Sequence, residues 1–67
     1  MWEVECGANM DDAERWSIIR FCHHLSGRWE KIDHSWVYES EAWAIAHKLN
    51  NGFSPRDLGL SAYIERF

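Results

Sequence analysis

The chain has 67 residues, with 7 Lys plus Arg against 11 Asp plus Glu, a formal charge of −4, and five Trp among its aromatic residues. That length supports one small domain over residues 1–67. Below roughly 70–80 residues one core seldom supplies more than ~3–5 kcal/mol, so dense packing, a cross-link, a metal or association must make up the rest. A hydrophobic fraction of 46% with one Pro and four Gly argues against disorder. The lack of an apolar run near 20 residues argues against a membrane span, and the acid surplus against a dedicated phosphate-backbone binder.

The acidity is local. Residues 1–14 hold Glu3, Glu5, Asp11, Asp12 and Glu14 with no Lys or Arg, while residues 15–67 hold six acids and seven bases. No positively charged start followed by an apolar stretch and a small-residue cleavage site occurs, so the expected location is cytoplasmic.

Trp2-Glu-Val-Glu-Cys6 alternates apolar and acidic residues, the period of a half-buried strand, with Trp2, Val4 and Cys6 inward and Glu3 and Glu5 outward. Gly7 to Met10 reads as a turn. From Asp11 to Leu25 the pattern predicts a helix. At about 100° per residue, Ile18, Phe21, Cys22 and Leu25 share an arc and Ser17, Arg20, His23 and His24 lie opposite. Asp11, Asp12 and Glu14 suit its first turn, Asn9 or Asp11 its cap, and Gly27 its left-handed stop. Arg28–Ile32 and Trp36–Tyr38 are rich in aromatic and β-branched residues around Asp33-His34-Ser35, which predicts a β-hairpin. Trp29, Ile32 and Trp36 also fit a helical face, which would make the protein an all-α small bundle. Ser40 reads as the N-cap of a second helix, Glu41–Asn50, ended by Asn51-Gly52, with Tyr38, Ala42, Ile45, Ala46 and Leu49 on its apolar side. Ser54-Pro55 reads as a cap with Pro at the first helical position, and Leu58–Phe67 as a short helical tail. The expected fold class is α+β, in the order strand, helix, hairpin, helix and tail.

The chemistry-bearing residues give no catalytic or metal site. Cys6, Cys22, His23, His24, His34 and His47 are zinc-type ligands, but fifteen residues separate the cysteines, which rules out a tight knuckle. Both cysteines project to the expected core, which would permit a disulfide, although a reducing compartment disfavours one. Adjacent Cys22 and His23 point apart on a helix, and there is no Gly-rich phosphate loop or nucleophile elbow. The expectation is no enzyme, no metal and no cofactor.

Residues 41–67 resemble a helix-turn-helix in wording, through Glu41–Leu49, Gly52 and Leu58-Gly-Leu-Ser61 followed by Tyr63-Ile64. The recognition segment Ser61–Phe67 would offer Arg66 as its only base, beside Glu65. On the predicted helices Trp16 and Trp43 fall away from the apolar arcs, where a large rigid side chain suits a binding hot spot. The reading that follows is a non-enzymatic interaction module, binding a partner with a basic surface through Glu3, Glu5, Asp11, Asp12, Glu14, Trp16 and Trp43. Glu39 and Glu41 would extend that surface. In size and charge the chain is similar to small phage or mobile-element proteins that block nucleic-acid enzymes by occupying cationic grooves. The alternatives are a small DNA-binding regulator using residues 41–67 and a structural homodimer. Direct nucleic-acid binding and a membrane partner are not expected.

Overall fold

The alternation at the start of the chain forms a strand, β1 (Glu3–Ala8), because Trp2 and Val4 can reach a core while Glu3 and Glu5 stay in water. The computed structural model describes residues 1–8, 14–22 and 27–65. Among them are three further strands, β2 (Glu14–Cys22), β3 (Arg28–Ile32) and β4 (Ala62–Glu65), and one α-helix, α1 (Glu39–Asn50). The strands make one antiparallel sheet in the order β1-β2-β3-β4, so the fold is α+β and β1 and β4 are its edges.

The predicted first helix is instead β2. Its consecutive apolar residues arise because a central strand is buried on both faces, which removes the alternation that marks a strand. Ile18 is fully buried under α1, and Ile19 is buried on the opposite face. Asp11 and Asp12 of that predicted helix lie outside the described residues. Gly27 does take a left-handed conformation, φ 73°, but as the last residue before β3.

The predicted hairpin is half right. Arg28–Ile32 is β3, but β2 and β4 flank it and leave no place for Trp36–Tyr38. Asp33-His34-Ser35 loops out, with the Asp33 N–H donating to Ser61 O at 2.8 Å, and the chain then returns to β2. There Trp36 and Trp16 exchange N–H to O bonds, both 2.8 Å. The all-α alternative does not hold.

The second predicted helix exists as α1 and starts two residues early, with Tyr38 rather than Ser40 at its cap and no side-chain capping bond. Ala42, Ala46 and Leu49 are buried and Ile45 is half-buried, as the wheel predicts, whereas Tyr38 is exposed. The two alanines let the helix backbone approach the sheet closely. The core joins Trp2, Ile18, Ile32 and Trp36 to these helix residues, with Val4, Trp16, Leu58, Leu60 and Ala62 packed around it. Fully burying a side chain such as Ile18 or Ile32 contributes about 1.5–3 kcal/mol.

The predicted helical tail instead holds a strand, Ala62–Glu65. Ser54 and Asp57 cap a 3-10 turn, Arg56–Leu58, reciprocally: Ser54 N–H donates to the Asp57 carboxylate at 2.9 Å, and Asp57 N–H to the Ser54 hydroxyl at 3.2 Å. Gly59, φ 70°, ends that turn, and Ala62–Glu65 then pairs with β3. Of residues 41–67, the described ones, 41–65, carry one α-helix followed by a 3-10 turn and a strand, which is not a helix-turn-helix. No described helix is long and apolar enough to cross a membrane.

Candidate partner-binding edge

The side of the molecule at β1 follows from backbone alternation. In an antiparallel ladder the N–H and C=O of one residue point to the neighbouring strand, and those of the next point away. Trp16 directs both groups towards Trp36, on the β3 side, so Arg15, Ser17 and Ile19 bond towards β1. Their register partners are Gly7, Glu5 and Glu3. The even-numbered residues of β1 accordingly turn their N–H and C=O to the outer edge.

Asn50, the last residue of α1, occupies the first of these outward positions. Its Oδ1 accepts from Trp2 N–H at 2.7 Å, and its Nδ2 donates to Trp2 O at 3.0 Å. This pair of bonds ties the start of the sheet edge to the helix. Among the described residues nothing bonds to the outward groups of Val4 and Cys6.

Two surfaces flank the open edge. On the α1 side a groove of about 670 Å³ runs between β1 and the helix, lined by Met1, Trp2, Glu3, Val4, Trp43, His47, Asn50 and Asn51. Trp43 is 39% exposed there. Its ring meets His47 edge-on at 5.8 Å and its indole N–H donates to Glu39 at 3.2 Å. Farther inside, the Arg20 guanidinium lies 4.5 Å over the Trp2 ring and pairs across the sheet with Glu30. On the opposite sheet face Glu3 and Glu5 are exposed, and among the described residues no cation pairs with either.

The predicted partner residues therefore divide. Glu3, Glu5 and Trp43 gather around the β1 edge. Glu14 pairs with Ala8 at the far end of the ladder from Glu3. Asp11 and Asp12 lie outside the described residues, so the continuous acidic face from Glu3 to Glu14 is not assembled by described residues alone. Trp16 is corrected: it is half-buried against the core, because strand geometry turns it to the α1 side with Ile18. The sequence reading missed Trp2, His47 and Asn50 as groove residues. Asn50 beside the Asn51-Gly52 stop was its only local signal, and that signal marks a helix end rather than a clamp.

The sheet face opposite α1 holds a second concavity, about 310 Å³, where Arg15, Ser17, Lys31, His34, Ser35 and Tyr63 are among the lining residues. Next to it Phe21 and Trp29 stack edge-on, with ring centroids 5.2 Å apart. Among the described residues no hydrogen bond joins a Cys or Ser side chain to a His, and no group of three or more His, Cys, Asp or Glu converges as metal ligands would. Both described cysteines are free thiols, Cys22 buried and Cys6 exposed, although the alternation places Cys6 on the α1 side as predicted. Cys6 faces Trp16, six residues along β2 from Cys22, a separation of about 20 Å that excludes a bridge between them.

No family model matches the chain, and neither a curated protein nor a solved structure matches it.

Proposed function

We propose that the chain is a non-enzymatic protein-interaction module that binds a partner with a basic surface through the β1 side of the fold. The observation that carries this reading is the grouping of exposed Glu3 and Glu5, which pair with no cation among the described residues, with a groove that contains exposed Trp43. The groove supplies apolar contact area at low entropic cost, and the glutamates supply steering and register. The segment that follows β1 adds Asp11 and Asp12 to the same stretch of sequence. A partner that uses its basic surface for nucleic acid would be blocked by this contact, which is how such a module acts as an inhibitor.

The test is capture from the native host on immobilised wild type and on a Glu3→Lys with Glu5→Lys variant, followed by titration of the retained protein at two salt concentrations. The expected result is a basic protein held by wild type and released by the variant, with affinity that falls as salt rises. Retention of the same protein by both forms, insensitive to salt, would overturn the proposal.

A further inference from the structure

We infer that the β1 edge takes up an extended segment of the partner as a fifth strand, and that this segment alternates basic and apolar residues. The inference rests on the basic-partner reading above and specifies its mode. β-Strand addition needs an open edge with outward backbone groups, and the edge offers N–H and C=O at both Val4 and Cys6. Asn50 already takes the equivalent groups of Trp2, so the available ladder starts at Val4.

The side-chain pattern of the added strand follows from the pleat. Residues opposite Val4 and Cys6 project to the α1 side, and the one opposite Val4 meets the groove of Trp2, Val4 and Trp43, so an apolar residue fits there. Residues opposite Glu3 and Glu5 project to the other face, where a Lys or Arg would answer each carboxylate. The occupant is thus a strand with cations at every second position. A second copy of this chain does not fit that description. A two-fold antiparallel β1–β1 pairing centred at Val4 or Glu5 sets glutamate against glutamate, the arrangement edge strands use to prevent self-association.

The experiment titrates the full chain with an acetylated, amidated peptide of alternating Lys and Val, eight residues long, followed by Trp43 and Trp2 fluorescence and by calorimetry. Two further peptides carry N-methyl groups, one at every Val and one at every Lys. In antiparallel strand addition, the pairing of every other neighbour in this sheet, the Val N–H groups are those that bond to β1, so methylation at Val is expected to weaken binding about tenfold or more, and methylation at Lys much less. Glu3→Gln with Glu5→Gln is expected to weaken the unmethylated peptide about tenfold and to flatten its salt dependence. Equal binding of the two methylated peptides overturns strand addition while leaving the acidic docking reading standing. Unchanged affinity in the Gln variant overturns the acidic reading itself, and the absence of binding at millimolar peptide overturns strand addition.

Discussion

Replacing Asn50 by Ala isolates the clamp between α1 and the start of β1. The substitution removes two hydrogen bonds, from Trp2 N–H and to Trp2 O, at 2.7 and 3.0 Å. A net 0.5–1.5 kcal/mol for each gives about 1–3 kcal/mol for the pair. Asn50 is exposed, so no cavity opens, and the better helix propensity of Ala returns up to ~0.7 kcal/mol. The net loss is roughly 0.3–3 kcal/mol, and at about 4–8 °C per kcal/mol for a domain of this size the melting temperature falls by about 1–24 °C. Thermal unfolding followed by circular dichroism measures it, with Lys48→Ala, an exposed position on the same helix, as the reference expected to stay within about 0.5 kcal/mol. Amide exchange supplies the local readout: the Trp2 amide loses its acceptor and exchanges faster in the Asn50 variant. Equal melting of the Asn50 and Lys48 variants, with Trp2 exchange unchanged, would refute the clamp.

Ile18→Ala deletes a fully buried side chain and costs about 2–5 kcal/mol, comparable to the whole stability expected of a chain this short, so the variant should be largely unfolded by far-UV circular dichroism at 37 °C. Gly27→Ala puts a Cβ on a residue at φ 73° and within 3.3 Å of the Phe21 ring, and a urea midpoint shift equivalent to about 1–2 kcal/mol is expected. The Ser54 backbone N–H, and then the Ser54 side chain, hold the Asp57 carboxyl below its ordinary pKa. A carboxyl lowered in the folded state favours folding above its unfolded pKa and loses that contribution as pH falls through the folded value. Ser54→Ala removes only the second cause, so an NMR titration should show the Asp57 pKa rising part of the way towards the ordinary value, and no rise would contradict the assignment.

How far the sequence was legible depended on how many faces each element buries. β1 is an edge strand with one buried side, and Trp2, Val4, Glu3 and Glu5 announce it by strict alternation. α1 rests one face on the sheet, and Ala42, Ile45, Ala46 and Leu49 mark that face at helical spacing. β2 defeats the same method. With Ile18 under the helix and Ile19 buried behind the sheet, its apolar residues are adjacent, and adjacent apolar residues at 18–19 and 21–22 imitate a helical arc. β4 is too short to show a period, and its identity comes from long-range pairing of Ala62–Glu65 with β3. Of the site, the two glutamates and Trp43 were readable as residue types in exposed positions. The groove and the open edge were not, because both depend on Asn50 and Trp2 meeting across 48 positions of chain.

Hydrogen exchange at individual β1 amides tests the open edge most directly, first in the free chain and then with the alternating Lys/Val peptide. In the free chain the amides of Val4 and Cys6 are expected to exchange fast and that of Glu5, bonded to β2, slowly. The peptide should slow Val4 and Cys6 selectively. Val4 and Cys6 amides already protected in the free monomer, or left fast at saturating peptide, would contradict the account.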